Sequence, residues 1–238
     1  MARRPHESMS EQLAAGQLLI DNTLANEDIL DLVTAFGYTS AKMSEGRALY
    51  ETAEAAVKLQ TGKMGRQQEA TEAMVQAEAV ARDAYQALAK VARAVFSQQP
   101  SQLGMLGLTG PTPKNIAGFL TSAYTLFDNA VDLSVLADYG YTAEKLPAER
   151  EKIEDLKNAN EQQERAKGVA QEATAAQEIA MKNFNDWVAQ YRKVAKVALR
   201  GNKQMLEELG IAARTSPTAA QRAGVAKAAA TRAANKNQ

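Results

Sequence analysis

Apolar and small side chains recur along most of this chain at intervals of three and four residues, and two runs keep that spacing far longer than an ordinary globular helix does. From Met43, the residues Tyr50, Ala53, Val57, Met64, Met74, Ala81, Tyr85, Leu88, Ala92 and Val95 trace one stripe that reaches Phe96. Ile153, Leu156, Ala166, Ala170, Ala173, Ala180, Phe184, Tyr191, Val194 and Ala198 trace another. Gly62 and Gly65 in the first run, and Gly168 in the second, lower helix propensity without breaking the phase. The competing reading places hairpin turns at 60–65 and 163–168, but a turn there would want a Pro or an Asn-Gly pair, and neither stretch has one. The pattern therefore predicts two continuous helices, the longer about 85 Å at 1.5 Å per residue.

A shorter run precedes each long one. Leu18, Leu24, Ile29, Leu32, Val33 and Phe36 suit a helix over 13–36 with a break expected near Asp21-Asn22. Asn26 is placed to cap its second part, whose first turn carries Glu27 and Asp28. Ile116, Phe119, Leu120, Ala123, Leu126, Phe127, Val131, Leu133 and Leu136 predict an amphipathic helix up to Tyr139, entered through Thr112-Pro113 as cap and first helical residue. The stretch 98–113, rich in Gly, Pro, Ser and Gln, reads as a loop, and residues 1–12 as a disordered N-terminus.

These elements are written twice. Gly37-Tyr38-Thr39 returns as Gly140-Tyr141-Thr142, Gln68-Glu69-Ala70-Thr71 as Gln171-Glu172-Ala173-Thr174, Lys90-Val91-Ala92 as Lys193-Val194-Ala195, and Leu106-Gly107 as Leu209-Gly210, always 103 residues later. One constant step with no insertion predicts a tandem duplication that kept element lengths. The expected fold class is all-α, each repeat being a short helix, a Gly-Tyr-Thr turn, a long helix and a Leu-Gly loop, with coiled-coil or bundle-like packing of the two long helices. Repeat 1 covers 13–111, repeat 2 covers 112–214, and 215–238 is a basic, Ala-rich tail or docking helix. A short helix covers only part of a long one, which leaves apolar stripe for the other repeat or for another chain. Ala70, Ala73 and Ala77 with Ala173, Ala176 and Ala180 set small residues at mid-helix, and with Gly65 and Gly168 they are the expected crossing point.

Composition narrows the chemistry. Aromatics make up 5% of the chain, which favours helix over sheet, and 28 basic residues balance 28 acidic ones, so no net field draws the body to nucleic acid or anionic lipid. With no Cys, thiolate metal sites and thiol catalysis are not expected. The single histidine, His6, lies in the polar start, so neither a His-based triad nor a di-iron bundle has its ligands. The glycine-rich 103–110 lacks the Gly-Lys-Ser/Thr ending of a phosphate loop. If the helices cross at the repeated polar residues, Glu69 and Glu172 form a symmetric carboxylate cluster; the plainer reading has Glu and Gln on the flanks and Thr71 and Thr174 bonded back to their own helices. Asp83 and Asp186 are expected to pair with Arg82 and Lys182. Phe184, Trp187 and Tyr191 read as core, and Tyr38 and Tyr141 as packing over their turns with a hydroxyl reaching the surface.

The end of the chain differs in kind. Arg214, Arg222, Lys227, Arg232 and Lys236 are spread through 212–238 with no acid among them, too sparse for a nucleic-acid patch. The segment could dock on a neighbouring copy, its Arg222, Lys227 and Arg232 facing Glu149, Glu151, Glu154 and Asp155. No window approaches a membrane span or a secretory signal, so the chain reads as cytoplasmic. The function expected is a non-enzymatic structural or scaffold protein whose partner is itself, a homo-oligomer or filament built through the long helices, with no cofactor, metal, catalytic residue or small-molecule substrate. The alternatives are a helical adaptor holding a partner helix or small apolar ligand in a groove beside Trp187, and a nucleoid- or membrane-associated factor acting through the tail.

Overall fold

In the computed structural model, which describes residues 8–212, every regular element is helical. The chain divides into two compact units. The first takes the residues up to Ala55 and those from Ile179 onward, and the second runs from Ala56 to Glu178. Neither coincides with 13–111 or 112–214, the expected repeats, because each long helix contributes to both units.

In the first unit, helix α1 (Met9–Ala25) begins four residues earlier than the apolar pattern suggested. Ser8 and Glu11 form a reciprocal capping box that satisfies the free amides of the first turn, so 9–12 are helical and not disordered. The break falls at Asn26, not at Asp21-Asn22. Asn26 Oδ1 accepts from the Ile29 amide and starts α2 (Glu27–Thr34) as expected, whereas Asp21 pairs with Arg47 and Asn22 donates to the Glu208 carbonyl from within α1. Gly37 then takes the left-handed conformation, φ 88°, that a side chain would resist. Thr39 Oγ1 accepts from the Lys42 amide and opens α3 (Ser40–Val95). The end of α6 (Lys145–Ala198) and the short α7 (Lys203–Glu208) complete this unit. Its core holds Leu13, Leu19 and Ile20 of α1, Ile29 and Val33 of α2, Met43 of α3, Phe184, Val188, Tyr191 and Ala195 of α6, and Leu206 of α7.

The second unit places α4 (Pro100–Met105) inside the stretch that reads as loop, started by a proline whose missing amide costs nothing at that position. Helix α5 (Ile116–Ala130) is capped by Asn115, whose Oδ1 accepts from Gly118 at 2.7 Å, and not by Thr112-Pro113. It stops at Ala130, short of Tyr139, and a 3₁₀ helix (Ser134–Tyr139) leads to Gly140 at φ 82°. One hydrophobic core runs through Tyr85 and Leu88 of α3, Phe96 just beyond it, Leu106 and Leu108, Phe119, Leu126 and Phe127 of α5, Leu136, and Leu146, Ile153 and Leu156 of α6.

The long helices are continuous, 56 and 54 residues, so the hairpin alternative is excluded. They pack against each other in opposite directions. In the first unit Gly46 meets Trp187 and Tyr50 meets Phe184; in the second Ala77 faces Asp155 across a shared groove and Met64 faces Thr174.

Local structure also recurs at the step seen in the sequence. The helical ends at Val95 and Ala198, helices α4 and α7, and the left-handed pairs Gly37/Gly140 and Gly107/Gly210 are all 103 residues apart. The amide of Tyr38 bonds to Val33 O as that of Tyr141 bonds to Leu136 O, and Leu108 bonds to Leu103 as Ile211 bonds to Leu206.

Candidate assembly faces on the long helices

Along α3 the half-buried or buried positions in the second unit include Gln60, Lys63, Gln67, Ala70, Met74, Ala77, Ala81 and Ala84; along α6 they include Ile153, Leu156, Asn160, Gln163, Ala166, Ala170, Ala173 and Gln177. These steps of three and four average about 3.4 residues, nearer the 3.5 of a left-handed coiled coil than the 3.6 of a straight helix. That spacing sorts the expected crossing residues. Ala70 and Ala77 stand seven apart and lie half-buried in the seam; Ala173 and Ala180, also seven apart, are buried. Met74 and Gln177 take the intervening places, so Ala73 and Ala176 are exposed and outside the crossing. Met64, assigned to the stripe by a straight-helix count, is 45% exposed for the same reason.

Gly65 and Gly168 do not serve the crossing either. A Cβ placed on either one, or on Gly62, meets nothing within 4 Å. The glycines that do permit close approach are Gly16 and Gly46. A Cβ on Gly16 would come 2.3 Å from Phe184, and one on Gly46 would come 2.3 Å from Trp187. Sequence reading passed over both, although a glycine inside the apolar run 13–20 was a signal that something large lies against it.

The repeated polar residues bring no carboxylates together. Glu69 and Glu172 are exposed, Gln68 donates to Glu72, and Thr71 and Thr174 bond back to Gln67 O and Ala170 O at 2.8 and 2.9 Å. Lys182 pairs with Asp186 as expected, but Arg82 turns to Glu78 and to the Lys114 carbonyl, not to Asp83. Two of the acids expected to receive the tail are already engaged, Glu149 with Lys152 and Glu154 with Lys157 and Tyr124. That hydrogen bond and the carboxylate's charge add to burial in pushing the Tyr124 hydroxyl up to about 12. Arg222, Lys227 and Arg232 lie outside the described residues.

Trp187 is core, packed at 5.9 Å on Tyr38 and 5.5 Å on Tyr191 with Gly46 beneath it. Thr23 Oγ1 donates to Leu19 O at 2.8 Å, which leaves the Tyr191 hydroxyl to donate to Thr23 at 2.6 Å. Burial pushes that hydroxyl up to about 12. The Tyr38 hydroxyl does not reach the surface; it and Trp187 Nε1 are buried without a hydrogen-bond partner.

What the long helices leave open is the outside of the pair. In the second unit Leu59, Met64, Val75 and Val80 of α3 and Val169 of α6 are exposed, with Val75 at 56%. An open groove of about 400 Å³ lies between Met64 and Gln67 on one helix and Ala170, Thr174 and Ala175 on the other. A second, of about 270 Å³, is lined by Ala73, Ala77 and Val80 against Lys152 and Asp155. Both are open depressions that mix small and apolar side chains with polar ones, Gln67, Gln171 and Glu178 in the first and Gln76, Lys152 and Asp155 in the second. Among the described residues there is no group of three or more His, Asp or Glu that could hold a metal ion, and no helix long and apolar enough to cross a membrane.

The fold and these faces define an all-helical protein with two long, mutually packed helices. No family model matches the chain, and no curated protein or solved structure is similar to it.

Proposed function

We propose that this protein is a non-enzymatic structural component, produced by tandem duplication of a 103-residue helical unit, that assembles with further copies of itself through its long helices. The observation that carries the reading is the distribution of apolar side chains on α3 and α6. The seam that faces inward is built of alanine, glutamine, asparagine and lysine over much of its length, while Leu59, Met64, Val75, Val80 and Val169 are exposed. Several exposed large apolar groups on one pair of helices favour an association surface more than isolated surface residues do. The stripe expected to be left for the other repeat or for another chain is covered by the other long helix, so the association surface is drawn from the exposed groups that remain.

The duplication is supported by two reciprocal exchanges of volume. Gly16 lies under Phe184 in the first unit. At the positions 103 residues away the second unit has Phe119 and Ala81, the large side chain having moved to the short helix, where it packs between Arg82 and Tyr85. Likewise Gly46 and Trp187 correspond to Glu149 and Ala84. Compensating swaps at equivalent positions follow when two copies of one core diverge under a fixed volume.

Static light scattering over a wide concentration range, with negative-stain microscopy of the same samples, tests the reading. Oligomers or filaments that weaken when Val75 and Val80 are changed to Ser are expected. A single-chain particle at every concentration sinks it.

A further inference from the structure

The two units are built from corresponding pieces joined differently. The second unit is one continuous segment: the end of α3, α4, the connection 106–115, α5 and the start of α6. The first has the same series at the 103-residue step, the end of α6 and α7 followed by α1, α2 and the start of α3, but there the two pieces are the opposite ends of the described chain. The joint that peptide bonds make in one unit is made in the other by side chains alone. Asn185 donates to Gln12 at 2.6 Å, Tyr191 to Thr23, and Asn22 and Asn26 hold Glu208, as Asn129 holds the Met105 carbonyl in the continuous unit.

From this we infer that the first unit is an exchangeable joint: residues 179–212 of one copy can complete the unit begun by residues 8–55 of a second copy, giving chains of molecules linked head to tail. The inference rests on the self-assembly reading above and names its surface and its partner. Nothing in the joint depends on both pieces belonging to one molecule, and an identical contact between chains satisfies the same hydrogen bonds and the same core, which is the condition for domain exchange. Exchange also requires α3 and α6 to part over the stretch where they are paired, and their inward residues there are the easiest in the seam to separate. Gln60, Lys63 and Gln67 on α3, and Asn160 and Gln163 on α6, are half-buried groups that water solvates well. The three long-helix glycines without a packing role, Gly62, Gly65 and Gly168, fall on or beside the same stretch. They make it the least rigid part of both helices.

The absence of cysteine makes the test direct. Two single variants of the full chain, Gln12→Cys and Asn185→Cys, are mixed, unfolded, refolded together over a range of concentrations and treated with a short bis-maleimide. Exchange joins one of each variant into a covalent two-chain species, located by mass spectrometry at positions 12 and 185, and its yield rises with concentration. The double variant in one chain reports intramolecular closure, and the emission of Trp187, which lies in this unit, reports that the substituted proteins have refolded. If the double variant cross-links only within itself and the mixed pair never cross-links while light scattering still shows oligomers, exchange is wrong and the outer-face reading stands. If neither cross-linking between chains nor oligomers appear, both are wrong.

Discussion

The side chains that fix this core are those with no room to move. Gly16 and Gly46 are glycine because Phe184 and Trp187 occupy the space a methyl group would need. Burying each aromatic contributes on the order of 2–3 kcal/mol, which a displaced ring forfeits in part. The buried phenols carry a pH dependence. Tyr191 and Tyr124 are held neutral up to about 12, and Tyr38 and Tyr141 are also raised by burial, from an ordinary value of 10.0. The folded chain therefore binds these protons more tightly than the unfolded chain. Stability is fully present below pH 10 and falls as the pH climbs from there toward 12. Ultraviolet titration of the seven tyrosines should show a late fraction whose ionisation coincides with loss of helical circular dichroism. All seven ionising together near their ordinary value, with the helices intact, would contradict this.

At the scale of elements, the long helices are held by their ends. Large buried side chains, Phe184, Trp187 and Tyr191 in one unit and Tyr85, Leu88, Ile153 and Leu156 in the other, alternate with a seam of alanine and amide groups. Gly62, Gly65 and Gly168 each forgo about 1 kcal/mol of helix propensity without a packing gain inside the chain. Changing Gly65 and Gly168 to Ala should raise the urea midpoint by an amount equivalent to roughly 1–2 kcal/mol. Where exchange operates, the yield of cross-linked chains should fall in step, because a stiffer seam opens less. A lowered midpoint would mean that these glycines serve a contact within the fold. Much at this scale was legible in advance. The continuity of α3 and α6 followed from unbroken apolar phase, and the Asn26 cap and the Gly37 and Gly140 turns from residue type. The Asn115 cap, the early end of α5 and the helix at Pro100–Met105 were not. Each depends on where a polar side chain finds its partner, as Asn129 does at Met105 O, and sequence spacing does not report that.

At the scale of the whole molecule, duplication predicts that equivalent sites are interchangeable. Gly16→Phe alone should be severely destabilising, and Phe184→Ala alone should cost about 3–5 kcal/mol by leaving a cavity. Together they copy the arrangement that Phe119 and Ala81 have in the other unit. The double variant should recover most of the loss, a coupling of a few kcal/mol in a double-mutant cycle read from denaturant unfolding. Additive losses would argue that the likeness of the two halves stops at the backbone.

The sequence alone determined the helical class, the length of the two long helices and the constant step between like elements, because each is written in local periodicity or in the identity of a turn residue. It could not determine which alanines meet. A 3.5-residue seam and a 3.6-residue stripe diverge slowly, and only an actual partner helix selects Ala70, Ala77, Ala173 and Ala180 while leaving Ala73 and Ala176 in solvent. Nor could it show that the compact units cut across the two segments that repeat the 103-residue step. That was decided by two rods packing in opposite directions, which brings the end of each to the start of the other.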